Sequence, residues 1–127
     1  MPSKFAIIIP VQNEAECLGE VLSELKPLLA EIDRHEFVIA VGLNGCTDRS
    51  GEIATEAGVL VGESDRSGYG HGCLAAIDAA LNVEPDIAAF VFYAGDGAND
   101  PRDIERLIDL YENGGSKFVM GLREFDL

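Results

Sequence analysis

The sequence predicts an α/β fold with a mostly parallel sheet, on three observations. Apolar runs of strand length alternate with amphipathic stretches of helical period. Each run stops abruptly in a turn rich in Gly, Asn, Asp or Pro. The connections between them are short. Such alternation builds βαβ units, whose crossovers lay successive strands parallel. With 127 residues, 47% of them apolar, the chain has material for one core, and residues 1–127 read as one domain or one lobe of a larger one.

Taken in order, Lys4 to Pro10 carries the continuous run Phe5-Ala6-Ile7-Ile8-Ile9, the pattern of a strand buried on both faces. Asn13-Glu14-Ala15-Glu16 opens a helix with early negative charge, as the helix dipole favours. Leu18, Val21, Leu22, Leu25, Leu29 and Ile32 then recur on one helical face. Pro27 is expected to kink or break that helix near Leu25-Lys26. Phe37 to Leu43 is a second strand, ending in Asn44-Gly45-Cys46-Thr47-Asp48. Thr47 or Asp48 can cap a short helix running to Glu56, which Gly58 ends. Val59-Leu60-Val61 is a short third strand. Glu63 to Gly72 reads as a glycine-rich loop, followed by a helix through Cys73, Ala76, Ile77, Ala80 and Leu81.

Ile87 to Tyr93 is expected to be the central strand, rich in aromatic and β-branched residues. It ends in Ala94-Gly95-Asp96-Gly97, then Asn99-Asp100-Pro101, with a helical pattern from Arg102. That helix places Ile104, Leu107, Ile108 and Tyr111 on one face and stops at Gly114-Gly115. Lys117 to Met120 is the last expected strand, and Gly121-Leu122-Arg123-Glu124 follows. A strand that stops in a Gly/Asp turn sets Asp96 at the carboxyl edge of the sheet, where open α/β sheets bind ligands. Gly95 and Gly97 let a ligand approach the backbone. Asp96 is thus a candidate for a metal, a hydroxyl or a base. Asp100-Pro101 reads more simply, as a helix N-cap and first helical position.

Composition excludes several classes. The formal net charge is −14, which argues against nucleic acid and anionic lipid surfaces as partners. A nucleotide is still compatible, because a divalent cation or local arginines (Arg49, Arg66, Arg102, Arg123) can offset phosphate charge. Glutamates such as Glu16, Glu20, Glu24 and Glu31 read as solvated helix surface. No apolar run is long enough to span a membrane, and no signal-peptide pattern opens the chain. Cys17, Cys46 and Cys73 show no metal-ligand spacing, which points to free thiols in a reducing cytosol. Cys46 and Cys73 read as packing residues, and His71 as helix-entry surface.

The motif order is more specific. Pro10-x-x-Asn13-Glu14, Asn44-Gly45-Cys46-Thr47-Asp48, Arg66-x-Gly68-Tyr69-Gly70, Ala94-Gly95-Asp96-Gly97 with Asp100-Pro101, and Gly121-Leu122-Arg123 follow one another at strand ends. Together they resemble the family 2 glycosyltransferases, particularly the dolichyl- or polyprenyl-phosphate sugar synthase type. The resemblance covers essentially the whole chain. It implies a GT-A fold, a Rossmann-like three-layer α/β/α sandwich, here truncated at its C-terminal side. It also implies transfer of a hexose from a nucleoside diphosphate sugar to an acceptor, with a polyprenyl phosphate at the inner face of a membrane as one acceptor class.

By the same resemblance, Pro10, Gln12 and Glu14 match the segment that lines base and ribose. Two readings of Glu14 stand side by side, a ribose ligand and a first-turn helix glutamate. Asn44 falls where the family often carries an aspartate against the base; it reads equally as a turn residue before Gly45. Arg66 with Gly68 and Gly70 brings a cation and bare backbone toward phosphate, beside a helix start that favours anions. Arg123 matches a strand-end arginine able to meet phosphate, with Leu122 in place of the usual serine.

The departures bear on chemistry. Ala94 stands where the family's Asp-x-Asp motif has its first carboxylate, leaving Asp96 to hold Mg²⁺ or Mn²⁺ with help from substrate oxygens. No residue of this chain matches the catalytic base. Gly95-Asp96-Gly97-Ala98-Asn99-Asp100 also matches the GDGxND signature of P-type ATPases, but their upstream nucleophilic aspartate context is missing. The reading from another class is a non-catalytic nucleotide-binding or assembly module. The resemblance implies a later antiparallel strand between the Ile87 strand and the Lys117 strand. Without it that edge stays open, so self-association or a displaced C-terminal strand is expected.

Overall fold

The computed structural model describes residues 3–115 and 117–120. Along the chain run β1 (Lys4–Val11), α1 (Ala15–Glu31), β2 (Glu36–Asn44), α2 (Ser50–Glu56), β3 (Leu60–Ser64), α3 (Tyr69–Val83), β4 (Ala89–Phe92) and α4 (Asp103–Gly114). The strands form one four-stranded sheet in the order β3-β2-β1-β4. Every pairing is parallel, with Ile7 of β1 in register with Ile39 of β2 and Val91 of β4. This is a Rossmann-like α/β architecture.

Alternation along β1 divides its side chains between two cores. Phe5, Ile7, Ile9 and Val11 join Leu18, Leu22 and Leu25 of α1, Ala54 of α2, and Ile104 and Ile108 of α4. Ala6 and Ile8 face the other way, with Ala40, against Cys73, Ala76 and Ala80 of α3. The second core uses small residues because α3 lies very close to the sheet. A Cβ on Gly42 would sit 1.8 Å from the Gly72 carbonyl oxygen, and one on Gly62 would sit 2.1 Å from that of Ala75. The glycines thus set the distance between layers.

Five expectations change. The first is the helix after β4: α4 begins at Asp103 behind Arg102, so Asp100 is not its N-cap nor Pro101 its first residue. The Asp100 side chain instead accepts the Arg102 N–H in the preceding turn. Pro27 lies inside a single helix, because the buried stripe Leu22, Leu25 and Leu29 anchors both sides of it. The glycine-rich loop shrinks to residues 65–68, since β3 runs on through Ser64 and α3 already begins at Tyr69. Gly72, buried, is a helical residue whose missing Cβ makes room for the Asn44 side chain. The Ile87 strand is shorter than expected and flanks the sheet, while β1 and β2 occupy its two interior positions. Finally, Lys117 to Met120 forms no strand. An apolar run becomes a strand only where a neighbour takes its backbone hydrogen bonds, and no described residue pairs with it.

The outer edge of β4 consequently has no strand partner among the described residues. Phe92 on that strand is 49% exposed, and Phe118 beyond α4 is 73% exposed. Arg34 ties α4 to the turn before β2 by pairing with Glu105 and Asp109. Both pairs are about half-exposed, so solvent screening weakens them.

Candidate functional site

The chain steps from β1 outward to β2 and β3, then returns to the other side of β1 for β4. Beyond the carboxyl ends of β1 and β4 the connections therefore diverge, and a crevice opens at this switch point. The turns after β1, β2, β3 and β4 all lie on this edge. They carry Gln12 and Glu14, Asn44 through Ser50, Ser64 through Gly68, and Tyr93 through Asp100.

The first two turns are laced together by side chains. Asn13 adopts a left-handed backbone (φ 55°), a conformation asparagine tolerates better than most residues. Its Oδ1 accepts from the N–H of Thr47 at 2.8 Å and of Asp48 at 3.3 Å. In return, Ser50 Oγ accepts the Glu14 N–H at 3.0 Å and Asp48 Oδ2 accepts the Ala15 N–H at 3.0 Å. Helix α1 has no side-chain cap of its own; its first amides are met from across the sheet. Asp48 also serves α2, its Oδ1 accepting from Ser50 N at 3.0 Å and Ser50 Oγ at 2.6 Å. These donors, with the Ser50 hydroxyl foremost, hold the Asp48 carboxyl below the usual aspartate range.

Asn44, 3% exposed, joins three elements. Its Nδ2 donates to the Val11 carbonyl at 2.9 Å and its Oδ1 accepts the Gly68 N–H at 3.2 Å. The amide orientation follows from its partners, since the carbonyl can only accept and the N–H only donate. Each end thus has a partner within the protein, which fixes the side chain between β1 and the start of α3. Cys46, expected as packing, also makes polar contacts: its Sγ donates to the Val11 carbonyl at 3.2 Å and accepts the Asn13 N–H at 3.4 Å.

The turn after β4 is tied by Asn99. Its side-chain oxygen accepts the Ala94 N–H at 2.8 Å, and its carbonyl accepts the Tyr93 hydroxyl at 3.0 Å. Burial, then the nearby Asp100, Glu24 and Asp103, push the Tyr93 phenol up to about 12, so it keeps its proton and stays a donor. Buried Gly95 packs where a Cβ would press on Val11 and Ile9, at 3.2 and 3.3 Å. Asp96 projects at the exposed tip, with one oxygen accepting the Ala98 N–H at 2.9 Å. Asp100 closes the turn against Arg102, which lowers its carboxyl to about 2.

Charge gathers across the crevice. Glu14 has its carboxyl raised, first by burial, then by Asp96 and Asp48. Negative charge on Asp96 and Asp48 thus disfavours the charged form of Glu14 at this edge. Among the described residues, no group of three or more His, Cys, Asp or Glu comes together as a metal cage. Ala94 offers only a methyl and its backbone. Asp96 fits a cation as a single protein ligand, the remaining oxygens having to come from a bound phosphate.

Pro10, Gln12, Glu14, Asn44, Gly68, Gly70, Gly95 and Asp96 all fall on the carboxyl side of the sheet. Arg66 does too, but its exposed guanidinium has no ion-pair partner among the described residues, and only its N–H is bonded, to Ser64 Oγ at 3.2 Å. Arg123 lies outside the described residues. Asn13, Asp48 and Ser50, absent from the expected site, prove to shape it; the Asn-Glu and Thr-Asp motif positions carried that signal. An open groove of about 570 Å³ runs beside the site between Glu24, Leu28 and the Gly97–Arg102 turn. It includes neither Glu14 nor the Asp96 carboxylate, so the crevice is an open edge.

A parallel sheet with polar turns gathered over its switch point defines a Rossmann-like α/β domain. The chain belongs to glycosyl transferase family 2, whose model matches residues 6–126. It is 27% identical over 121 residues to the uncharacterized protein MJ1222 of Methanocaldococcus jannaschii, covering 94% of this chain and 46% of that one. It is also 27% identical over 118 residues to the low-salt glycan biosynthesis hexosyltransferase Agl6 of Haloferax volcanii, covering 93% of this chain and 27% of that protein. The chain thus spans less than half the length of these relatives. No helix among the described residues is long and apolar enough to cross a membrane.

Proposed function

We propose that this chain forms the donor-binding part of a glycosyltransferase that moves a hexose from a nucleoside diphosphate sugar to an acceptor. The observation that supports it is the gathering of Glu14, Gly68 and Asp96 at the carboxyl ends of the strands, over the switch point of a family 2 chain. In the transfer, the bond from sugar C1 to the diphosphate oxygen breaks and a bond from C1 to the acceptor oxygen forms. The acceptor loses a proton and the nucleoside diphosphate leaves with the bonding electrons. Glu14 accepts hydrogen bonds from the ribose hydroxyls, and Gln12 and Pro10 border the base. The bare backbone of Gly68 to Gly70 and the amino end of α3 lie toward the diphosphate. Mg²⁺ or Mn²⁺, held by Asp96, would neutralise charge on the departing diphosphate. An acidic crevice needs such a cation to accept a phosphate-bearing ligand. Arg66 and Arg123 supplement it. A polyprenyl phosphate is the acceptor class taken from the motif order, with the chain in the cytoplasm at a membrane face.

The non-catalytic module remains a second reading because Ala94 removes one carboxylate. A thermal-shift panel of UDP, GDP, CDP and their sugars, with and without Mn²⁺, separates the two. A ligand bound only by the folded state adds about 2.7 kcal/mol at a hundredfold excess over its Kd. The expected result is a selective, Mn²⁺-dependent rise that Asp96→Ala abolishes. A flat panel at millimolar ligand refutes the donor site.

The open β4 edge is also proposed to pair with a second copy of the chain. Light scattering should then give a dimer or larger species. A monomeric mass together with a protease-resistant C-terminus would refute that pairing.

A further inference from the structure

We infer that Asp48 and Ser50 are positioning residues that brace Glu14 at the crevice, an inference that rests on the donor-site reading for its functional consequence. Side-chain bonds run in both directions between the turns after β1 and β2. Ser50 is fully buried (0% exposed) in the first turn of α2, yet its hydroxyl is spent on Glu14 of a different connection. That hydroxyl donates to Asp48 at 2.6 Å while it accepts the Glu14 amide at 3.0 Å, a relay from carboxylate to hydroxyl to backbone. The second Asp48 oxygen takes the next amide, Ala15. Two consecutive amides are thus fixed by one carboxylate and one hydroxyl. Asn13 Oδ1 secures the opposite direction through Thr47 and Asp48. With its amide and the following one pinned, residue 14 has little freedom to rotate about its backbone. The point on the crevice edge from which its side chain departs is thereby set before any ligand arrives. Preorganisation of this kind lowers the ordering cost of binding.

The consequence is a coupling between α2 and the ligand that no direct contact explains. Ser50→Ala removes the hydroxyl, and Asp48→Asn, at an exposed position, replaces one acceptor oxygen by a donor that faces an N–H. Each is expected to weaken the tightest binder among UDP, GDP and CDP about tenfold. In a Glu14→Ala background the same changes should have little further effect, because there is no side chain left to position. A purely structural role would lower thermal stability while leaving the Kd of the folded protein unmoved, or would act additively with Glu14→Ala; either of these results overturns the inference.

Amide hydrogen exchange gives a readout independent of ligand. The Glu14 and Ala15 amides should exchange faster in both variants while the β1 amides stay protected. Unchanged exchange at residues 14 and 15 would show that no brace exists. If the wild type binds none of the three diphosphates, the donor reading fails and with it the role of the brace in binding, while exchange still decides whether the brace holds the turn.

Discussion

Gly42→Ala is expected to unfold or severely loosen the domain, at a cost of about 3 kcal/mol or more. The added methyl would lie 1.8 Å from the Gly72 carbonyl oxygen, 2.8 Å from its carbon and 2.9 Å from the Ala76 nitrogen. All three are backbone atoms of α3, so no side chain can swing aside. The helix must move off the sheet, and it carries the buried Cys73, Ala76 and Ala80 with it. It would also pull Gly68 from Asn44 and so disturb the crevice. Gly70→Ala is the control, because nothing lies within 4 Å of its Cβ. Urea unfolding of the two variants beside the wild type measures both. Equal midpoints for Gly42→Ala and wild type would show that α3 does not press on the sheet this way.

Asn44→Asp is expected to be the other large effect, about 3 kcal/mol at neutral pH. The change preserves size and removes the donor. A carboxylate oxygen would then face the Val11 carbonyl, whose present partner, Asn44 Nδ2, is 2.9 Å away, at a position only 3% exposed. Repulsion and burial would both favour the protonated acid, so its folded pKa rises above the unfolded value of about 3.9. The sign follows from linkage. Below about 3.9 the acid is neutral in both states and its O–H can donate to Val11, so the penalty is smallest there. As pH rises toward the folded pKa, the unfolded chain releases its proton first and stability falls. Asn44→Ala should show no such slope. Denaturation across this pH range checks it, and a pH-independent penalty would rule out a buried carboxyl at this site.

The elements were legible because periodicity and turn chemistry agree locally. Phe5 to Ile9 is uniformly apolar since β1 is covered on both faces, and that pattern is visible without any partner. Lys117 to Met120 looks similar yet forms no strand, because a strand exists only with a neighbour to pair with. Pro27 announced a break that α1 does not make, because packing on both sides of it outweighs one missing backbone bond. Gly72 looked like loop; it is helix, and its reason is the Asn44 side chain lying against it.

For the site, the sequence by itself determined which residues stand at strand ends, and so that Glu14, Asn44, Gly68, Gly95 and Asp96 share one edge. It also carried the family, through the order of its motifs. Only the tertiary structure decided how those turns meet. That Asn44 spends its amide on Val11 and Gly68, and that Ser50 and Asp48 cap α1 from another connection, are contacts between segments distant in the chain. Side-chain hydrogen bonds of that range leave no period in a sequence, because they depend on the order of strands in the sheet.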